Sequence, residues 1–582
     1  MSVGKQPATR SAPATPRTDG GPVAFTPDTR PAARGLVGWA LDEAPGRRRR
    51  TGLRARIRRP VRDRQRPPAE RRPILRAPRP GALRTLAVVA LIGVPALGLR
   101  LWQIDALGLN SDEAVYAGQA ASLARDPAFL PFFPVFRAHP LLFQALLSLP
   151  YRLDGVGSLS GRLLSVAFGL ATVWVTYAIG ARLYGRRVGV LAALLIAVMP
   201  YTVVVSRQIL LDGPMAFFAA LALYLLVRFV QTERVAWLYA AAVALGLATL
   251  SKETAILLVG GAYAFFALTR KTRLRLIHAA IATALLLLTV LPYPISLKLA
   301  GRSSTGGHFL VWQLLRRPNH SWWFYLQTVP PALGLGVVTV VVLGLILMRR
   351  SLTWSEHLLV SWAAVPSLFF EVWAVKGFQY LLPVAVPLAV LAAMVVVSAP
   401  VPTVRWRAGR TTVTSAGLRA VVALALVASL ALVSWTRIQP ASSGSTFLAG
   451  TGGVPGGRAA GQWVGHHVPV GADLLALGPS MANIIEFYGH RQVYGLSISP
   501  NPLHRNPVYD PVLNPDLQIR HSNLQYLVWD SYSASRSPFF SQHLLSYAER
   551  YHGRIVHQEF VTVDTDGGPV QKPVITIYEV RP

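Results

Sequence analysis

Residues 85–101 read TLAVVALIGVPALGLRL, a run broken by a single charge, Arg100. Coiled as an α-helix at about 1.5 Å per residue, it approaches the ~30 Å thickness of a bilayer's hydrocarbon core. Comparable apolar runs recur from there to Trp435. Of the 582 residues, 52% are hydrophobic and 14% charged, with a mean hydropathy of +0.39. A soluble globular chain carries about 25% charged residues. The sequence is therefore that of a polytopic α-helical membrane protein. It contains no cysteine, which excludes disulfides and thiolate chemistry.

The formal net charge is +32, and its placement sets an expected topology. Much of it precedes the first apolar run, in Arg47–Arg50, Arg58-Arg59 and Arg71-Arg72. Residues 1–83 are rich in Pro, Arg and Gly and show no sustained period, so they read as a disordered basic cytoplasmic tail. Attraction to an anionic inner leaflet accounts for such a tail, and no nucleic-acid partner is expected. Further clusters, at Arg182–Arg187, Arg228–Arg234, Arg270–Arg275, Arg349-Arg350 and Arg405–Arg410, separate apolar segments. Placing all of them inside by the positive-inside rule yields about 11 crossings. These lie near 85–101, 158–180, 188–205, 212–229, 235–250, 252–269, 276–295, 328–347, 357–374, 380–398 and 417–436. The N-terminus is then cytoplasmic, in a multi-pass plasma-membrane protein. The apolar stretch His139–Tyr151 is too short for a span and suits an interfacial or re-entrant helix.

The transmembrane domain covers 84–436, and a last domain, 437–582, falls outside. It opens with a Gly/Ser-rich linker, Ala441–Gly461. Strand candidates at Leu474–Leu477, Gln525–Trp529 and Ile575–Val580 alternate with helix candidates at Met481–Tyr488 and Gln542–Tyr551. That alternation predicts a small extracytoplasmic α/β domain.

Just beyond the first span comes Leu109-Asn110-Ser111-Asp112-Glu113-Ala114-Val115-Tyr116. Asn110 and Glu113 have capping-box spacing, which gives Glu113 a structural reading. Asp112 is less well explained by it, and shares a helix face with Tyr116. Arg207 and Asp212 flank another outer turn, readable as a snorkelling cation and a helix cap. Lys252 and Glu253 interrupt one apolar stretch, where ionisable groups usually line a cavity. Glu371, Lys376, Gln379 and Tyr380 occupy one more short outer segment. All of these, with His139, fall at one predicted level. Together they predict a polar cavity at the outer membrane boundary, its cations suited to a phosphate and its carboxylates to proton abstraction or metal binding.

The chain resembles the GT-C membrane glycosyltransferases related to protein O-mannosyltransferases and to lipid A aminoarabinose transferases. The resemblance rests on Asp112-Glu113-Ala114-Val115-Tyr116, His139-Pro140-Leu141-Leu142, Gly161-Arg162-Leu163-Leu164-Ser165, Ser206–Pro214, Ser251-Lys252-Glu253-Thr254 and Lys376–Pro383, in that order, over roughly 84–400. It implies a polyprenyl-phosphate-linked sugar as donor and a lipid, protein or polysaccharide hydroxyl as acceptor. Asp112 would be the catalytic base or would orient the acceptor, and Glu113 would support it or share a divalent cation with it. Arg207 and Lys376 would meet the donor phosphate, and His139 would orient the loop that closes the cavity. Relatives commonly carry Arg where this chain has Gln379, and a second proline where it has Leu141. In the last domain Tyr488, His490, Arg491, His504 and Arg505 are candidates for acceptor binding, against the alternative that these Gly-His and Asn-Pro turns are only packing. A membrane transporter and a noncatalytic scaffold with a glycan-binding domain are the competing functional readings.

Overall fold

In the computed structural model, the described residues are 80–582 apart from 136–138, 270, 273, 317, 399–406, 409–410, 413–414, 440–452 and 566–567. The predicted tail, most of the linker and much of the Arg405–Arg410 cluster lie outside them. Six described helices are long and apolar enough to cross a membrane: Leu83–Leu101, Ser158–Tyr184, Asp212–Thr232, Leu276–Leu299, Phe378–Ser398 and Ala416–Arg437. Val235–Ser251 and Glu253–Leu268 are apolar but shorter.

Two segments read as continuous spans, 188–205 and 328–347, are broken, each for a local reason, and a third break falls at Lys252, between the expected spans 235–250 and 252–269. The 188–205 segment divides into Arg186–Val198 and Pro200–Val205, with Met199 extended between them (ψ 124°). The residue before a proline is pushed out of the helical region, so Pro200 ends one helix and starts the next. The 328–347 segment bends by 100° between Phe324–Leu333 and Leu335–Met348. Pro330 and Pro331 sit in its first half, and Gly334 takes φ +91° at the bend. Lys252 is likewise extended, separating helix Val235–Ser251 from a 3₁₀ turn at Glu253–Ile256.

Asp212–Thr232 and Phe378–Ser398 are mostly buried among other helices, whereas Leu276–Leu299 and Ala416–Arg437 are mostly uncovered. The uncovered side chains include Leu287, Leu288, Leu424 and Leu432. A bilayer would cover such apolar faces, and helices satisfy their own backbone groups there. The short segment after His139 forms helix Leu142–Asp154. Helix Ser111–Leu123 packs against it, and on that helix Gly118 makes room for the Phe133 ring of the intervening segment, from which a Cβ would stand 2.3 Å.

The last domain is α/β, as expected. Strands Val493–Gly495, Leu474–Ala476, Tyr526–Asp530, Gly568–Glu579 and Arg554–Thr565 lie side by side in that order. The first three are parallel, and the C-terminal hairpin adds antiparallel to Tyr526–Asp530. Val493–Gly495 and Arg554–Thr565 were not read as strands from the sequence. The predicted linker is also too long, because helix Gly457–His467 begins within it. Helices Gly457–His467 and Pro479–Gly489 pack together, and the latter reaches helix Ser111–Leu123 of the membrane part.

Candidate active site

The loop between the first span and helix Ser111–Leu123 is held by one buried side chain, Arg162. Its guanidinium donates to Glu113 Oε1 and Oε2 at 2.9 and 3.0 Å, and to the carbonyls of Ile104, Leu107 and Gly108 at 2.8–2.9 Å. Glu113 also accepts from the backbone N–H groups of Asn110 and Ile209, at 3.0 and 3.1 Å. Asn110 Oδ1 accepts from Glu113 N, so both arms of the capping box are present. Glu113 and Arg162 are both fully buried. Glu113 therefore does not face the cavity with Asp112, and its oxygens are committed to protein donors. This corrects the expectation of Glu113 as a catalytic partner or as a shared metal ligand. Among the described residues no group of three or more His, Asp or Glu side chains could hold a metal ion.

Arg207 is corrected in the same way. Its Nη1 donates to the carbonyls of Leu99 and Arg100 at 2.9 and 3.0 Å. It is a buried cap on the C-terminal end of the first helix, where carbonyls are unpaired and cations are favoured. Asp212 does not cap its helix either. Both of its oxygens lie 2.9 Å from Lys252 Nζ, and both side chains are buried.

Asp112 is placed differently. It makes no hydrogen bond and no ion pair among the described residues, and it lines a cavity of about 1200 Å³. Tyr116, His139, Lys252, Glu253, Lys376, Gln379 and Tyr380 line the same cavity. Lys252 Nζ lies 5.2 Å from the centre of the Tyr380 ring, within cation–π range. His139 Nδ1 is 2.9 Å from Glu253 Oε2. Burial disfavours the imidazolium, but the Glu253 carboxylate outweighs it and holds His139 above its ordinary pKa. Burial also raises Asp112, against the pull of Lys252 and His139.

Lys376 lines the cavity, but its ammonium is turned to the end of helix Trp354–Val372. It donates to the carbonyls of Phe370 and Glu371 and lies 3.7 Å from Glu371 Oε1. Glu371 is outside the cavity wall. Gln379 Oε1 is buried without a hydrogen-bond partner. The sequence reading missed Arg316, which enters the cavity with its guanidinium 4.7 Å from the centre of the Trp312 ring. No carboxylate lies within ion-pair distance of it among the described residues. Asn319 fixes this segment to the opposite wall: its amide exchanges two hydrogen bonds of 2.8 Å with the Lys376 backbone.

The acceptor candidates of the last domain do not gather at the cavity. Tyr488 OH accepts from Leu109 N at 3.0 Å. His490 packs edge-on against Phe129, and Arg491 donates to the carbonyls of Gly465, Val468, Pro469, Gly489 and His490. His504 and Arg505 sit in a surface loop bonded within itself. Ser480, Asn506 and Arg536 of this domain line the cavity, as does Arg437 at its start.

Fold and site together define a polytopic helical membrane domain joined to a C-terminal α/β domain, with a polar cavity where the two meet. A family model for dolichyl-phosphate-mannose-protein mannosyltransferase matches residues 138–295, a narrower region than the resemblance read from the sequence. The fold is similar to that of ArnT from Cupriavidus metallidurans, with a TM-score of 0.60 at 15% identity over 85% of this chain and 98% of that one. The undecaprenyl-phosphate-bound form of ArnT aligns with the same coverage at 16% identity, TM-score 0.60. The oligosaccharyltransferase AglB from Archaeoglobus fulgidus, in complex with an inhibitory peptide and a dolichol-phosphate, aligns at 13% identity with a TM-score of 0.57, over 84% of this chain and 74% of that one. No curated protein matches the chain by sequence.

Proposed function

We propose that this protein is a glycosyltransferase that moves a sugar from a polyprenyl-phosphate donor to an acceptor hydroxyl at the outer membrane face. The observation that carries the reading is Asp112: a carboxylate with no hydrogen-bond or ion-pair partner among the described residues, on the wall of a large cavity that also holds Lys252, His139 and Arg316. The similarity of fold to ArnT, which binds undecaprenyl phosphate, supports the donor class.

In this reading the acceptor oxygen attacks the anomeric carbon while the Asp112 carboxylate takes its proton. The bond between that carbon and the phosphate oxygen breaks, and the electron pair leaves with the lipid phosphate. Preorganised cations stabilise the charge gained by the leaving group. Lys252 is held by Asp212 and presents a fixed charge. Arg316, with no acidic partner among the described residues, binds the phosphate. The acceptor enters from the side walled by Ser480, Asn506 and Arg536, so a lipid, protein or polysaccharide chain outside the membrane can reach the sugar. Glu113 takes no part beside Asp112, because Arg162 and two backbone N–H groups occupy its oxygens.

The test is turnover of a panel of polyprenyl-phosphate sugars by the purified protein in nanodiscs, with Asp112→Asn as the comparison. General-base assistance contributes about 10²–10⁴-fold, so the variant should insert normally and lose most transfer. Near-normal transfer by Asp112→Asn removes the base assignment. Absence of turnover with every donor removes the glycosyltransferase reading.

A further inference from the structure

Helix Pro479–Gly489 of the α/β domain carries two polar residues three positions apart, Ser480 and Asn483, which share one face. Ser480 lines the cavity. Asn483 lies behind it, 2% exposed. Its Nδ2 donates to Ser111 Oγ at 3.0 Å and to Tyr509 OH at 3.2 Å. Ser111 is the first residue of the helix that carries Asp112, is itself buried, and lines the cavity. Phe487 of helix Pro479–Gly489 also packs on the segment that follows helix Ser111–Leu123: its ring lies 5.1 Å from that of Phe129 and 6.3 Å from that of Phe133. Phe133 in turn covers Gly118 of the Asp112 helix.

Asp112 makes no side-chain hydrogen bond among the described residues, so the direction of its carboxylate depends on the frame of the first helical turn. The capping box fixes that turn from the membrane side. Among the described residues, the side-chain hydrogen bond from the α/β domain that falls nearest to Asp112 along the chain is the one between Asn483 and Ser111, its immediate neighbour. We infer that Asn483 is a positioning residue for the proposed transfer: through Ser111 it sets the orientation in which Asp112 enters the cavity. This rests on the glycosyltransferase reading and assigns the external domain a part in the chemical step.

Misplacing a reacting group by about 1 Å costs on the order of 10²-fold in rate. The experiment uses full-length protein in nanodiscs and the polyprenyl-phosphate sugar that the wild type turns over. Asn483→Ala, Ser111→Ala and the double variant are measured for kcat, donor KM and thermal midpoint, each alone and together with Asp112→Asn. The expected result is a fall in kcat of about 10–100-fold for each single variant with donor KM held within about twofold, the pattern of an interaction realised only in the transition state. The double variant should be no slower than the slower single one, and neither change should slow Asp112→Asn further. Wild-type kcat in both Asn483→Ala and Ser111→Ala overturns the inference. So do losses that multiply in the double variant, or an equal loss in the Asp112→Asn background. Should Asn483→Ala not fold, Ser111→Ala reads the same hydrogen bond from the other side. A slow Asp112→Asn beside a fully active Asn483→Ala rejects this inference alone, whereas a fully active Asp112→Asn rejects the base assignment and this inference with it.

Discussion

Two neighbouring carboxylates, Asp112 and Glu113, have opposite surroundings. Glu113 is enclosed by four donors, from Arg162, Asn110 and Ile209. Removing one member of a buried charge pair costs about 3–5 kcal/mol, because the other is left uncompensated. Arg162→Met should therefore lower the thermal midpoint sharply, and a second change, Glu113→Gln, should restore part of it, as measured by unfolding in detergent. Asp112 predicts a pH effect instead. A base must be ionised to accept a proton, and burial holds Asp112 above the ordinary carboxylate pKa of about 3.9. Its protonated form persists to higher pH, so activity should be lost as pH falls through a value above that figure. This acid limb should be missing from the residual rate of Asp112→Asn, and a wild-type rate flat down to pH ~4 contradicts the assignment. The capping-box spacing made the structural duty of Glu113 legible. The part of Arg162 was not, because one arginine in the first turn of an apolar helix reads as a snorkelling charge until the loop that it gathers is folded against it.

Helix ends explain why two expected phosphate ligands are engaged elsewhere. Arg207 meets the last carbonyls of the first helix, and Lys376 meets those of helix Trp354–Val372. A cation in an outer turn has the same sequence signature whether it faces a ligand or the open end of a helix. Only the path of the chain decides, and here breaks at Met199, Lys252 and Gly334 redirect several segments. Arg316 lies beyond helix Ser303–Leu315, in the outer segment 296–325, which stands out in the sequence for its aromatic cluster at 322–325 and not for its arginines. The two arginines should separate in kinetics. A hydrogen bond to a charged group contributes about 1.5–3 kcal/mol, so Arg316→Gln should raise donor KM by about 10–100-fold. Arg207→Gln should lower the thermal midpoint and leave donor KM unchanged. A reversal of these effects would return the phosphate to Arg207.

At the scale of the molecule, basic clusters set the predicted sidedness and the α/β domain marks the outer face. A tag after Pro582 should be cut by protease added to sealed right-side-out cells, and a tag before Met1 should be spared. The reverse pattern would move the cavity to the cytoplasmic side. The membrane character and the α/β nature of the last domain were legible, since apolar length and strand–helix alternation are local signals. Their junction was not. Tyr488 was singled out with His490 and Arg491 as a ligand group, yet it binds the backbone at Leu109, a contact no periodicity reveals.

That junction ties the site to the order in which the chain is made. Asp105 accepts a hydrogen bond of 3.0 Å from Arg458, 353 positions later, and Leu109 donates to Tyr488, 379 positions later. Closing loops of this length is entropically costly, and contacts between distant positions form late in folding. A ribosome that has delivered every apolar segment has still not delivered Arg458, Asn483 or Tyr488. For the transfer proposed above, the site is then incomplete: the contacts that frame the Asp112 helix form only after the last domain has been made and folded.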